Sequence, residues 1–289
     1  MTRRDILTAV PAAFAADGSL DLHGSREILQ YVAQSGNEGA FVLGTTGEFP
    51  SLSLEERGQL VELSLAELGD RMRVVVHVGA PSLYEVLRLI AQAKEFGARE
   101  IAVLTPYYLP STDDALREFF GAVNDASDGL GVYVYVYQKR SGNFLSVELM
   151  AEVATLSNFV GAKVSEEPLE LIAQYRSVVP DEFLIYTGAD RELANAAAAG
   201  AQGVVSGISS VLPKPFRTLA AAADSGDAEA VAKAQADVDE VVTAIAGDIG
   251  RMKAAYKALG IRGGTTRMAI QPPDSATVAE IERVVAAYA

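Results

Sequence analysis

The chain has 289 residues, 49% of them hydrophobic and 21% charged, which excludes wholesale disorder and admits one large α/β barrel as readily as two average domains. With no cysteine and only His23 and His77, it has no disulfide or thiol chemistry and no zinc cluster of the usual donors. Twenty-four basic residues against 38 acidic ones leave a formal charge of −14, which opposes nonspecific nucleic-acid binding and an anionic membrane surface but not a small anion in a local cleft.

The start, MTRRDILTAVPAAFAADG, has two arginines, but its apolar run is soon broken by aspartate and glycine, so it reads poorly as a signal peptide. No apolar run approaches the roughly 20 residues that span a bilayer. The expectation is a soluble, cytoplasmic protein. Strand-like runs then recur at 6–10, 40–43, 73–78, 100–104, 131–137, 159–163, 183–186 and 203–205. Each is followed by a segment with helical character, such as 53–68 or 82–96. Ser53 with Glu55 and Glu56, Ser82 with Glu85, the acidic pair at 113–114, and Ser146 with Glu148 mark helix starts.

The strands are apolar on both alternating positions, as a helix-covered parallel sheet requires. Eight βα units in this length predict a TIM (β/α)8 barrel, with a doubly wound open sheet as the rival. Helices are expected at 227–246, 250–259 and 275–288, so residues 1–224 read as the barrel with the active site and 225–289 as a C-terminal helical extension. The AAAA run at 196–199 reads as a close helix-packing surface.

Chemistry gathers at strand ends. In FVGAKVSEE, Lys163 closes an apolar strand, where burial would favour the neutral amine that attacks a ketone to form a Schiff base. A snorkelling or ion-paired lysine is the other reading of this segment alone. GTTGE at 44–48 offers Thr45 and Thr46 for a carboxylate or a proton relay, or simply a capping turn; it is neither a Walker loop nor GxGxxG. The TPYY junction at 105–108 and the run VYVYVYQKRSG carry tyrosines that serve either packing or proton transfer, and Arg140 is a candidate anion fork. All four lie at strand ends, the face where TIM-barrel active sites sit.

Together with LTAVPAAF, GADRELANAAAAGAQGVVSG and KAAYKALGI, these motifs resemble the dihydrodipicolinate synthase and N-acetylneuraminate lyase family along nearly the whole chain. The resemblance implies a TIM barrel with a helical extension and class I aldolase chemistry, without metal or organic cofactor. It implies that Lys163 forms the Schiff base, Tyr135 transfers protons, Thr46 relays them, and Tyr108 reaches a neighbouring subunit's relay. Thr45 then binds the keto-acid carboxylate, Gly188 and Val205 border the pocket, and Arg140 meets the second substrate's carboxylate. The sequence departs from the family pattern at Val136, Gln138 and Val164, and Gly207 lacks the hydroxyl of typical sialic-acid lyases.

The expected activity is condensation of pyruvate with an aldehyde, or cleavage of a 2-keto acid to release pyruvate, in a homotetramer or homodimer. Three alternatives stand beside it: 4-hydroxy-tetrahydrodipicolinate synthase, which joins pyruvate to aspartate semialdehyde; a 2-keto-3-deoxy sugar acid dehydratase; and a noncatalytic small-molecule-binding barrel.

Overall fold

The computed structural model describes residues 4–289; the first three residues of the expected barrel segment lie outside them. Among the described residues, the strands are β1 (Asp5–Ala9), β2 (Gly39–Val42), β3 (Arg73–His77), β4 (Glu100–Leu104), β5 (Gly131–Val136), β6 (Phe159–Val164), β7 (Leu184–Thr187) and β8 (Gly203–Ser206). They form one closed barrel in chain order, which decides against the open sheet. Their ends fall within one residue of those read from the sequence. The pairing is parallel, with Tyr135 opposite Lys163 between β5 and β6 and Lys163 opposite Tyr186 between β6 and β7.

The helices are α1 (Leu22–Val32), α2 (Leu54–Leu68), α3 (Leu83–Glu95), α4 (Asp113–Ala126), the single turn α5 (Gln138–Ser141), α6 (Val147–Val153), α7 (Leu169–Arg176), α8 (Pro213–Ser225), α9 (Ala228–Ile245), α10 (Ile249–Ala258) and α11 (Ser275–Tyr288). Their starts follow the oxygen-bearing side chains. Ser53 and Glu56 close a reciprocal capping box on α2, and Ser82 and Ser146 accept the amides of Glu85 and Leu149. On α4 the cap is Thr112, one residue ahead of the acidic pair, which occupies the first turn instead.

One expected helix takes another form. After β7 the chain makes two short 3-10 turns, Asp190–Glu192 and Ala196–Ala199, in place of an α-helix. Only Ala196 of the alanine run is buried, so no apolar stripe drives a longer helix onto the sheet. Gly200, at φ 82°, then ends the run.

The chain forms two compact units, one comprising the chain up to Val74 with Ser206–Ala289, the other Val75–Val205. In the first unit, the C-terminal helices are tied to the loop after β1. The buried Lys253 on α10 donates to the carbonyls of Ala12 and, at 2.9 Å, Gly263. Burial lowers its pKa to about 8, with Glu48 and Asp21 pulling the other way. Thr265 donates its amide to Phe14 O at 2.8 Å, and Arg267 stacks over the Phe14 ring at 4.4 Å.

Gly264 permits that approach: it sits at φ 68°, and a Cβ there would lie 2.5 Å from Phe14 O. Gly264→Ala therefore combines a left-handed residue with a backbone clash. It should lower stability by about 1–3 kcal/mol or more, read as a lower denaturant midpoint; an unchanged midpoint would show that this junction yields at no cost.

Candidate active site

The second unit carries the lysine expected to be the nucleophile. Lys163 lies in β6, 6% exposed, with its Nζ 4.2 Å from the Tyr135 ring centroid. Two effects compete at that nitrogen. Burial disfavours the ammonium, whereas the Asp190 carboxylate and the Tyr135 π-face favour it. Burial wins, and the pKa falls from 10.5 to about 7. Near neutral pH far more of this amine is unprotonated than in an ordinary lysine.

Tyr135 is wholly enclosed, with its ring edge-on to buried His77 at 5.7 Å and 6.0 Å from that of Tyr137. These packed neighbours restrict the ring to one orientation beside Lys163. Below it, Tyr133 donates to Glu100 at 3.2 Å, so this tyrosine belongs to the core.

At the strand ends the backbone bends into unusual shapes. Tyr108 and Glu166, which follow β4 and β6, have φ of 81° and 56°, left-handed values that disfavour side-chain-bearing residues. Tyr108 is 90% exposed and makes no hydrogen bond to a described residue. The structure thus does not bring it to Tyr135 within one chain. Its loop is nevertheless held: buried Asn143 donates to the carbonyls of Pro106 and Leu109 at 2.7 and 3.0 Å and accepts the amide of Ser111 at 2.7 Å.

Arg140 lies on α5 just past β5, donating its Nε to Tyr137 Oη at 3.3 Å. The Tyr137 hydroxyl in turn donates to Glu166, whose other oxygen accepts from Lys139 at 2.7 Å. Burial, then the Glu166 bond, push the Tyr137 phenol up to about 12. Gly188, just beyond β7, admits Ser165 so closely that a Cβ would meet its Oγ at 2.5 Å. Val205 is buried in β8.

The first unit holds the hydroxyl loop. Thr45 and Thr46 form a 3-10 turn directly after β2, and Leu43 and Glu48 flank it with φ of 60° and 54°. Glu48 is fully buried and anchors the loop by accepting the amides of Arg267 and Met268 at 2.9 and 2.7 Å. Thr46 lies beside Gly207, where an added Cβ would come within 3.1 Å of its Oγ1 and 2.9 Å of Met252 Cε.

Four residues here escape sequence reasoning: Asp190, Glu166, Asn143 and Tyr137 in its bonded role. Asp190 sits two residues past Gly188, but the lysine it faces lies 27 positions earlier in the chain. The others have meaning only through partners some 30 positions away. Among the described residues no cluster of three or more His, Asp or Glu is placed to hold a metal, and no helix is long and apolar enough to cross a membrane.

The dihydrodipicolinate synthetase family model matches residues 2–288. The chain belongs to that family. It is accordingly a class I Schiff-base aldolase or lyase of the dihydrodipicolinate synthase type. An uncharacterized DapA-like lyase of Halobacterium salinarum is 35% identical over 259 residues, 89% of this chain and 84% of that one. A 4-hydroxy-tetrahydrodipicolinate synthase of Thermotoga maritima is 29% identical over 288 residues, 98% of this chain and 97% of its own. The crystal structure of dihydrodipicolinate synthase from Thermotoga maritima superposes with a TM-score of 0.90 at 29% identity, covering 99% of both chains.

Within this family the departures at Val136 and Val164 acquire a physical reading. Both side chains are fully buried and the two residues pair across β5 and β6, so apolar groups here leave no polar atom to satisfy.

Two outcomes follow. Lys163→Met should stabilise the folded protein at pH 7 and below. The native state resists a proton that the unfolded lysine holds up to about pH 10.5, so wild-type stability rises between pH 7 and 10.5 and the variant's gain shrinks across that window. Denaturant midpoints across pH would show it, and a constant difference would contradict it. Gly207→Ser should displace Thr46 and cut turnover by about tenfold or more while circular dichroism stays native; wild-type turnover would show that Met252 simply gives way.

Proposed function

We propose that this chain catalyses the condensation of pyruvate with a carboxylated aldehyde, the activity of a 4-hydroxy-tetrahydrodipicolinate synthase acting on L-aspartate semialdehyde. The observation that carries the Schiff-base step is Lys163, buried against Tyr135 with a pKa of about 7. Relatives bearing the synthase name align over 98% of the chain, and Arg140 supplies a guanidinium at the end of β5 for the acceptor's carboxylate. The missing hydroxyl at Gly207 speaks against a sialic-acid lyase.

Neutral Lys163 attacks C2 of pyruvate, and the resulting carbinolamine loses water to give an iminium. A proton then leaves C3, and the electron pair moves toward the iminium nitrogen to form an enamine. The enamine carbon attacks the aldehyde carbon, whose oxygen takes up a proton; the acceptor's own amine then adds to the new iminium carbon and displaces Lys163, closing the ring and returning the lysine. Tyr135, packed beside the amine, is the proposed proton carrier for these transfers. Thr46 as relay hydroxyl, Thr45 as carboxylate binder, and Gly188 and Val205 as pocket borders are carried by the family resemblance.

Tyr108 is proposed to complete the relay of a neighbouring copy in a homodimer or homotetramer. Its exposure and its pinned, left-handed backbone support a residue built for use outside its own chain. Residues 1–224 are proposed as the catalytic barrel and 225–289 as its extension, with the cytoplasm as the site of action.

Borohydride reduction in the presence of pyruvate should fix an adduct on the peptide containing Lys163, and Lys163→Ala should abolish it. Adduct formation should rise as pH increases through about 7, as the amine loses its proton. Adduct persisting on that peptide in Lys163→Ala would overturn the assignment. Turnover with L-aspartate semialdehyde tests the acceptor, and Arg140→Ala should raise the KM for that aldehyde by about tenfold or more, the loss expected for one charged hydrogen bond.

A further inference from the structure

The rim cluster after β5 and β6 contains residues that the chemistry above does not use. Arg140 donates its Nε to Tyr137 Oη, Tyr137 donates its proton to Glu166, and Lys139 donates to the second oxygen of Glu166 at 2.7 Å. The direction of these bonds matters. Because Glu166 accepts the phenolic proton, the Tyr137 oxygen turns its lone pairs toward Arg140. That engages Nε, and neither terminal nitrogen of Arg140 donates to another described residue. The guanidinium also lies over the Tyr137 ring, 5.7 Å from its centroid, so one aromatic side chain sets both its tilt and its rotation.

The anchor of this chain is unusual. Glu166 holds φ at 56°, a conformation that a side-chain-bearing residue keeps only where other contacts enforce it. Tyr137 is buried and packs at a tilt against Tyr135, so its hydroxyl has little freedom of position. The two arms on Glu166 differ in weight. The Lys139 side chain is 75% exposed, and an ion pair in water is worth little, whereas the Tyr137 bond lies at the buried edge. Lys139 and Glu166 cancel in charge, leaving the cluster's net positive charge on the Arg140 fork.

We propose that Glu166 and Tyr137 are positioning residues that set acceptor specificity, holding the Arg140 fork with both terminal nitrogens presented to the anionic group of the aldehyde. This rests on the reading of Arg140 as the acceptor's carboxylate site. Neither residue touches the reacting atoms; they act by sparing Arg140 the ordering of a long side chain at each binding event.

The test compares kcat/KM for L-aspartate semialdehyde and for butyraldehyde, an uncharged four-carbon aldehyde, with pyruvate as donor. Wild type should prefer the carboxylated aldehyde. Glu166→Ala and Tyr137→Phe should each reduce that preference by about tenfold, through the KM of the carboxylated aldehyde, with the KM of pyruvate moving less than about twofold. The double variant should lose no more than either single one, since both break one chain of bonds. Glu166→Gln, which keeps an acceptor for Tyr137, should recover part of the preference, and Lys139→Ala should change it by less than about twofold. Borohydride trapping of pyruvate confirms that each variant is folded.

Wild-type preference retained in Glu166→Ala and Tyr137→Phe would overturn the proposal, as would an equal rise in the KM of pyruvate. A wild type without preference for the carboxylated aldehyde would instead remove the reading of Arg140, and this proposal with it.

Discussion

The proposed chemistry depends on one physical constraint, keeping a single amine out of water. Lys163 is placed on a strand whose neighbours are apolar, and its ammonium loses more hydration than Asp190 and the Tyr135 ring return. The same burial that makes the amine nucleophilic makes the fold less stable than an apolar residue would. A barrel with fully buried strands can absorb that cost, because its strands are covered on both faces and supply many apolar contacts. The compensation is only partial by design: a stronger counter-charge would hold the proton and silence the nucleophile.

Strain is concentrated where the strands end. Leu43, Glu48, Tyr108 and Glu166 all adopt left-handed backbone in the loops after β2, β4 and β6. Three of these loops' anchors are buried or half-buried polar groups: Glu48 under the hydroxyl loop, Asn143 under the tyrosine loop, and Tyr137 against Glu166. Within each loop the polar anchor fixes the bend. The candidate site residues therefore sit on or beside irregular backbone, with each bend held by hydrogen bonds from a different part of the chain.

Much of the fold was legible in advance because its signals are local. Apolar runs of four to six residues and the caps Ser53, Ser82 and Ser146 placed strands and helices to within about a residue. The segment after β7 reads as α-helix but forms 3-10 turns, since alanine favours helix by propensity while the burial that stabilises one is missing there. Lys163 was legible as an ionisable residue at the end of an apolar run, and family resemblance narrowed its role. Glu166 was not legible. Its carboxylate looks like any other on an acidic chain until Tyr137, 29 positions earlier, is seen to donate to it.

The amino-acid order by itself determined the eight-unit rhythm, the absence of thiol chemistry and the placing of a lysine at the end of an apolar run, because each depends on residue type and short-range pattern. Tertiary structure alone decided that the sheet closes, that burial lowers the Lys163 pKa, that Tyr108 is left exposed, and that Arg140 is bonded to Tyr137 and through it to Glu166. Those outcomes depend on burial and on hydrogen bonds between distant residues. Desolvation and geometry exist only once the chain has brought those residues together.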